Sequence, residues 1–355
     1  MGQTAYPTPI TMTHKHPATN RLIGSLVFLL FFLIFLILFY YNGEHWFRSI
    51  LLYLSAAAWA RSFVTHLPLA HAVASRFVAG ETIDAAMKAT RALNERGMSV
   101  TLDYLGESVT AAAEANQARD EILRLLDQIQ QTGVQANVSL KPSQLGLKLD
   151  EDLARDNLIQ ILSRANQYQN KIRLDMEESA MVDKTLALYR WLRDQKGFNN
   201  VGVVIQAYLY RSEADVRHLV AEGAWVRLCK GAYAEPPELA FPLKADTDAN
   251  YLKLTEIMLS ETARQNGVYL GVATHDTAMI EGTKAFARQT HIPTEAFEFQ
   301  MLYGIRPELQ QALVEQGYRV RIYVPYGTAW YPYFMRRLAE RPANLWFFIS
   351  NLFRR

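Results

Sequence analysis

The chain has 355 residues, of which 50% are hydrophobic and 20% are charged, which is enough for one large domain or two small ones. Its 37 Lys and Arg against 35 Asp and Glu give a formal net charge of +2, too balanced for a nucleic-acid surface. The single cysteine excludes an intrachain disulfide, and the eight histidines do not cluster at ligand spacing, so we expect no metal site.

The N-terminal part predicts a membrane anchor. After a polar tail at residues 1–21, Leu22–Tyr41 reads LIGSLVFLLFFLIFLILFYY, carries no charge and ends in two tyrosines. A helix of this length rises about 30 Å, the thickness of the bilayer's hydrocarbon core. A secretory signal would have a shorter apolar core, and a buried soluble helix would have a polar face. We expect a transmembrane helix with the catalytic part on the cytoplasmic side, although the flanking charges do not fix the orientation.

Residues 42–78 read as a second helical region, and from Ala79 to the end the composition is that of a soluble domain. There, strand patterns alternate with helix patterns. The predicted strands are Ser99–Tyr104, Val134–Leu140, Lys171–Leu174, Val201–Ile205, Ala224–Leu228, Val268–Ala273, Phe297–Phe299 and Val320–Val324. The helices between them include Val109–Gln131, Asp152–Tyr168, Lys184–Gln195, Glu213–Glu222, Asp248–Gln265, Ala278–Thr290 and Pro307–Gln316.

Eight such units predict an α/β fold, a (β/α)₈ TIM-like barrel over residues 79–355, preceded by N-terminal helices. The alternative is an open doubly wound sheet. Such a sheet usually has a glycine-rich phosphate fingerprint after its first strand, and this sequence has none.

Polar side chains follow the carboxyl ends of the predicted strands, where such a barrel forms its site. They include Asp103, Ser139, Lys141, Asp175, Gln206, Arg227, Lys230, Thr274, His275, Gln300 and Tyr323. Each has a structural alternative: a solvated lysine at 141, a helix N-cap at 175, a core histidine at 275. Together they predict one polar ring over a packed core.

The segment Arg227–Tyr233, RLCKGAY, combines two cations with a glycine. Gly231 would let the backbone approach a ligand closely, and Arg227 and Lys230 would meet anionic oxygens. A phosphorylated, electron-rich ligand such as flavin adenine dinucleotide (FAD) suits this segment, because a positive charge near the flavin stabilises its reduced form.

The segment Tyr323–Arg341 ends the predicted barrel. Its prolines and its glycine are expected to break the strand into a loop, after which a helix begins. Positions 333, 336, 337 and 340 then fall on one helix face. Paired guanidinium groups beside tyrosine rings suit a carboxylate attached to an apolar group.

These motifs resemble the proline dehydrogenase family, the FAD-dependent barrel enzymes that oxidise L-proline to Δ1-pyrroline-5-carboxylate. The resemblance covers roughly residues 77–348. It rests on Leu140-Lys141, Arg173–Glu178, Arg227–Tyr233, Ala273–His275, Glu298–Gly304, Tyr323–Gly327 and Tyr333–Glu340.

The resemblance implies residue roles. Arg336 and Arg337 would bind the carboxylate of L-proline, Glu107 would act as a gate, and Tyr323 would disfavour hydroxyproline. The other substrate-binding residues implied are Lys141, Ala232, Leu302 and Tyr333. Asp175 and Arg227 would flank the reacting centre. The FAD-binding residues implied are Asp175, Met176, Gln206, Arg227, Lys230, Gly231, Ala232, Thr274, His275 and Glu340.

The resemblance also implies hydride transfer to FAD and delivery of electrons to a membrane quinone, next to which Leu22–Tyr41 would hold the barrel. Two other functions stay open from the residues alone. One is a flavin-independent Schiff-base lyase or aldolase that uses Lys141 or Lys230. The other is a membrane-anchored amino-acid-binding module. Among flavoenzymes, hydroxyproline or an N-alkyl amino acid could replace proline. The sequence leaves open whether the chain forms a homo-oligomer.

Overall fold

The computed structural model describes residues 53, 57, 59, 74–106 and 109–340, with side chains up to residue 337. Eight parallel strands close a barrel in chain order, which confirms the (β/α)₈ prediction. The strands are β1 Ser99–Tyr104, β2 Ala136–Leu140, β3 Ile172–Leu174, β4 Val201–Gln206, β5 Trp225–Cys229, β6 Tyr269–Ala273, β7 Phe297–Leu302 and β8 Val320–Tyr326.

Among the described residues, one helix precedes the first strand, and the others follow strands along the chain. The helices are α1 Ile83–Asn94, α2 Ala112–Thr132, α3 Glu151–Gln167, α4 Val182–Arg190, α5 Ser212–Ala221, α6 Lys244–Leu259, α7 Glu261–Gln265, α8 Thr277–Gln289, α9 Pro307–Glu315 and α10 Trp330–Glu340. Short helical turns at Pro142–Leu145, Ser179–Met181, Trp191–Gln195 and Thr294–Ala296 complete the connections.

The strands alternate between two faces because side chains along a strand point in opposite directions. One face is apolar and fully buried against the helices, as at Val100, Val138 and Phe299. The other face points into the barrel and is mostly polar. It includes Thr101, Asp103, Asn137, Ser139, Arg173, Arg227, Glu298, Gln300 and Arg321. The strand register pairs several of them across neighbouring strands, as Asp103 with Ser139 and Gln300 with Arg321. Instead of one polar ring above an apolar interior, polar side chains continue down into the barrel.

Two prolines lie inside elements rather than in the loop that the sequence predicts. Pro325 belongs to β8 and is paired with Asp103 of β1. On the side of Pro325 that faces β7, that strand has already ended, so the missing N–H of Pro325 breaks no strand pairing. The Pro325 carbonyl accepts from the Ala79 amide at 2.9 Å. Pro332 lies in the first turn of α10, where an N–H has no intrahelical partner.

The predicted helix Asp248–Gln265 is two helices. The chain turns at Ser260, which is extended at φ −56° and ψ 159° and whose hydroxyl accepts from the Ala263 amide at 3.3 Å. This side-chain bond caps α7 and separates it from α6.

The chain divides into two compact units, Ser62–Phe334, which contains all eight strands, and a second unit to which residues 335–340 of α10 belong. The expected transmembrane segment, Leu22–Tyr41, lies outside the described residues. In the part of the chain that the structure describes, no helix is both long enough and apolar enough to cross a membrane.

Candidate active site

The Asp175 carboxylate follows β3 at the carboxyl end of the barrel and is 7% exposed. Its Oδ1 accepts hydrogen bonds from Arg227 Nη1 at 2.6 Å and from Ser139 Oγ at 2.6 Å. Its Oδ2 accepts from the Tyr323 hydroxyl at 2.7 Å. Strands β2, β5 and β8 therefore each deliver one donor to the end of β3.

Arg227 is the central cation of this group. Its guanidinium lies 5.1 Å from the centre of the Tyr323 ring, and its Nε donates to Gln300 Oε1 at 2.5 Å. Burial, with the negative charges of Asp103 and Asp175, raises the pKa of Tyr323, so the phenol stays protonated and donates. Among the described residues, the buried Nη2 of Arg227 has no hydrogen-bond partner.

Gln206, the last residue of β4, lies beside the segment that follows Asp175. Its Nε2 donates to the Glu177 carbonyl at 3.2 Å and to the Met176 carbonyl at 3.5 Å. Its side chain is 4% exposed, and its Oε1 is buried with no partner in the described part of the chain. Among the described residues, Gln206 Oε1 and Arg227 Nη2 are therefore a buried acceptor and a buried donor of this site that no protein group satisfies.

Gly231 has a φ of +113°, in the region that favours glycine. A Cβ built at this position would lie 2.2 Å from the Tyr208 ring. The sequence indicates a close approach to a ligand here, and the structure adds a second reason for glycine, the aromatic ring beneath it. Ala232, the next residue, is exposed.

Lys230 lies between two carboxylates, and neither of them has a role predicted from the sequence. Its Nζ contacts Asp248 at the start of α6 and Asp276, the N-cap of α8, the second at 2.7 Å. Although partial burial opposes it, hydrogen bonds from Lys230 and Lys244 hold the pKa of Asp276 well below its usual range. Asp248 lies in the first turns of α6 and Asp276 caps α8, 18 and 46 residues along the chain from Lys230, so no local spacing reveals the cluster.

Thr274 and His275 follow β6 and organise the neighbouring loop. Thr274 Oγ1 accepts from the Asp276 amide at 3.0 Å. His275 Nε2 accepts from the Leu302 amide at 2.9 Å, so the proton of its neutral ring lies on Nδ1. His275 thus fixes the end of β7, where Leu302 is partly exposed.

Lys141 follows β2 in an extended conformation, φ −95° and ψ 130°, as expected before a proline. Its Nζ lies 3.5 Å from Asp103 Oδ2, and the two side chains are 11% and 1% exposed. Lys141 therefore lies within the same mouth of the barrel as Asp175.

The remaining expected site residues lie on α10 or outside the described residues. Tyr333 is 6% exposed, and Arg336 and Arg337 are both partly buried. Glu340 is the last residue of α10, beyond the described side chains, and Glu107 falls in the gap at residues 107–108.

Ser139 and Gln300 are predicted as polar strand ends, but the sequence assigns them no role. The contacts of Glu298 and Arg173 inside the barrel are not predicted at all. Glu298 accepts from Arg321 Nε at 2.7 Å and from Gln300 Nε2 at 2.7 Å. Arg173 lies 3.6 Å from the centre of the Trp225 ring. The polar side chains at alternate positions of the strands could have predicted these contacts, because such side chains share one face of the sheet.

The chain is similar to known proteins over most of its length. The sequence profile of the family described as "Proline dehydrogenase" matches residues 86–349. Over 312 residues the chain is 42% identical to "Proline dehydrogenase 1" of Bacillus subtilis, which covers 87% of this chain and 99% of that protein. Over 283 residues it is 42% identical to "Proline dehydrogenase" of Deinococcus radiodurans, covering 79% of this chain and 90% of that protein.

Solved structures show the same fold. The crystal structure of proline utilization A from Bdellovibrio bacteriovorus, described as inactivated by N-propargylglycine, superposes with a TM-score of 0.71 at 28% identity. The match covers 76% of this chain and 33% of that one, so the chain spans about a third of the larger protein. Proline utilization A from Bradyrhizobium japonicum, at 24% identity and a TM-score of 0.64, is similar in fold.

Proposed function

The chain belongs to the proline dehydrogenase family and oxidises proline in the first step of proline catabolism, and we propose that it does so with a bound FAD that accepts the hydride. The observation that carries this proposal is the hydrogen-bonded group of Asp175, Arg227 and Tyr323, which three strands bring together. Such a group can flank a reacting centre from several directions at once.

The residues present fit a flavin. Its heterocycle has both donor and acceptor atoms along one edge. Within the described part of the chain, the buried donor Arg227 Nη2 and the buried acceptor Gln206 Oε1 have no partner. Met176, Gly231, Ala232, Thr274 and His275 would hold the rest of the group. When bound, FAD supplies the hydride acceptor.

Lys230 would share its ammonium group between the phosphates of FAD and two carboxylates, because Asp248 and Asp276 already contact it. That arrangement also argues against a Schiff-base lyase. A lysine nucleophile needs a free amine to attack the substrate, whereas Lys230 and Lys141 each hold a carboxylate partner.

The substrate carboxylate would bind to Arg336 and Arg337, with Lys141 beside it and Glu107 as a gate. Guanidinium groups bind carboxylates with two parallel donors, which fixes the orientation of the substrate as well as its position. Tyr323, Tyr333, Leu302 and Ala232 would enclose the ring, and Glu340 would contact the cofactor. Closing these groups over the ring would exclude water while a hydride leaves C5 for the bound FAD and the ring nitrogen loses a proton, which leaves the C=N bond of Δ1-pyrroline-5-carboxylate.

Arg227 contributes a positive charge where negative charge accumulates during the reaction. Asp175 holds that guanidinium at 2.6 Å and holds the Tyr323 ring through a second oxygen. The carboxylate therefore orients a cation and a ring wall together.

The electrons would then pass to a membrane quinone. In this proposal Leu22–Tyr41 crosses the bilayer and holds the barrel beside that acceptor, which raises the effective concentration of the acceptor without a new contact. The catalytic unit would lie on the cytoplasmic side.

The visible absorption spectrum tests the proposal. Purified protein should show flavin bands, and these bands should bleach when L-proline is added without oxygen. Folded protein with no flavin bands, or bands that proline leaves unchanged, would contradict it, and a lysine trapped by borohydride in colourless protein would support the lyase instead. Comparing kcat/KM for proline, hydroxyproline and an N-alkyl amino acid identifies the preferred substrate.

A further inference from the structure

Two side chains on β7, Glu298 and Gln300, point into the barrel and are 2% and 4% exposed. They lie two residues apart and therefore on the same face of the strand. Gln300 Nε2 donates to Glu298 Oε1 at 2.7 Å, and Gln300 Oε1 accepts from Arg227 Nε at 2.5 Å. Gln300 thus connects a buried carboxylate to the cation of the active site.

The orientation of the Gln300 amide is determined by its neighbours. An ionised carboxylate can only accept and a guanidinium can only donate, so the NH₂ must face Glu298 and the carbonyl must face Arg227. Burial alone would raise the pKa of Glu298, but the charge and hydrogen bond of Arg321, with the bond from Gln300, lower it below its usual value. Glu298 is therefore ionised and keeps the amide in one orientation.

Space for this amide is provided by the neighbouring strand. Gly271 of β6 pairs with Glu298, and a Cβ built at Gly271 would lie 2.3 Å from Gln300 Nε2. Any larger residue at 271 would displace the amide from Glu298.

The consequence is that three acceptors hold two edges of the Arg227 guanidinium. Gln300 binds Nε, while Asp175 and Ser139 accept from Nη1 at 2.6 and 3.2 Å. A planar group held at two edges has a fixed plane, and its remaining buried nitrogen, Nη2, is then directed as a donor.

We propose that Gln300, oriented by Glu298, is a positioning residue that fixes the plane of Arg227 and so aims Nη2, which has no partner among the described residues, at the bound flavin. This inference rests on the proposed function. Gln300 touches neither substrate nor flavin and acts only through Arg227.

The test is a double-mutant cycle with the reduction potential of the bound flavin as its readout. Gln300→Leu removes the acceptor and keeps most of the volume. It should lower the potential, because the guanidinium no longer stabilises the reduced form fully, and should lower kcat about tenfold, the effect of one hydrogen bond to a charged group. KM for proline should change less than about threefold, since the carboxylate binds elsewhere.

In an Arg227→Met background the same Gln300→Leu substitution should leave the potential where Arg227→Met alone puts it, because the only route of its effect is gone. A shift of equal size in both backgrounds, or no shift in the wild-type background, would overturn the proposal. The control is Asn200→Leu, which removes another buried amide, one that bonds the carbonyls of Leu162 and Asn170 at the opposite end of the barrel. It should lower the melting temperature and leave the potential unchanged.

Should Gln300→Leu purify without flavin, Gln300→Met replaces it in the same cycle, since an unbranched thioether adapts to the same space. Wild-type protein that binds no flavin would contradict the proposed function. Wild-type protein that bleaches with proline, alongside variants with an unchanged potential, would contradict only this inference.

Discussion

At the scale of single residues, Asp175 accepts hydrogen bonds from three side chains, one of which is Tyr323. A second tyrosine on the same strand, Tyr326, serves as the control for removing the Tyr323 hydroxyl. Tyr323→Phe removes the bond to Oδ2 and leaves a buried acceptor unpaired, which should lower the free energy of unfolding by about 1–3 kcal/mol. Tyr326, three residues along β8, is fully buried, and its hydroxyl has no partner among the described residues. Tyr326→Phe should therefore be neutral or stabilising. Urea unfolding of both variants checks the pair, and equal losses would contradict it.

The paired arginines of α10 carry the substrate-binding proposal. Arg336→Met should raise KM for proline by about tenfold or more, because the carboxylate loses a charged partner, while the flavin content stays the same. Steady-state kinetics with an artificial dye measure this. The control Arg190→Met removes an arginine that pairs with Glu222 on the outer helices, and its KM should match the wild type. An unchanged KM in Arg336→Met would refute the assignment.

Glu298 predicts a pH dependence of stability. Its pKa in the folded protein is below its ordinary value of 4.5, so the unfolded chain takes up this proton first as the pH falls. The stabilisation by Glu298 is complete above about pH 5 and is lost as the pH falls through the folded-state pKa. The difference in unfolding free energy between wild type and Glu298→Gln, about 1–3 kcal/mol at neutral pH, should therefore shrink in acid.

Urea titrations from about pH 7 down to pH 3 measure this difference. Glu308→Gln, on the exposed side of α9, is the control and should show little effect at any pH. A Glu298→Gln difference that stays constant over the whole range would contradict the prediction.

The predictability of the site follows from where its partners lie. Asp175 directly follows β3, and Arg227 and Tyr323 lie within β5 and β8, so the barrel prediction alone brought them close together. Asp248 and Asp276 could not be paired with Lys230 in advance, because the contact depends on how two helices start relative to the barrel. The link between Glu298 and Arg321 joins positions 23 residues apart, and only strand register brings these together.

At the scale of elements, the packing of β6 against β7 depends on a glycine in β6, Gly271, which leaves room for the Gln300 side chain. Gly271→Ala would place a Cβ 2.3 Å from the Gln300 amide, and the strain should lower the free energy of unfolding by about 1–3 kcal/mol. Combining it with Gln300→Ala should recover part of that loss, since the obstructing amide is gone. Thermal unfolding of the two single variants and the double variant checks this, and strictly additive losses would contradict it.

The bounds of the elements were predictable where the pattern was regular and wrong where proline intervened. Helix α9 and strand β1 were predicted within one residue of their observed bounds. Pro325 and Pro332 were expected in a loop. Instead, Pro325 lies at the part of β8 that pairs with β1 alone, and Pro332 lies in the first turn of α10. Proline is tolerated at both kinds of position, and the sequence alone does not reveal which strand ends first.

At the scale of the whole molecule, the proposed anchor makes a separable prediction. Removing residues 1–45 should leave dye-linked proline oxidation unchanged and move the protein from the membrane fraction to the soluble fraction. Fractionation with activity assays on both fractions measures this. A truncated protein that stays in the membrane fraction would show that another segment, such as residues 46–77, anchors it.

The polar barrel interior has a consequence for engineering. Because the guanidinium, carboxylate and amide groups of Arg173, Arg227, Glu298, Gln300 and Arg321 lie together inside the barrel, replacing any one of them leaves its neighbours uncompensated. Libraries that vary one such position at a time should yield mostly clones of lowered activity or stability. Altered redox properties are more accessible to libraries that randomise two adjoining strands simultaneously.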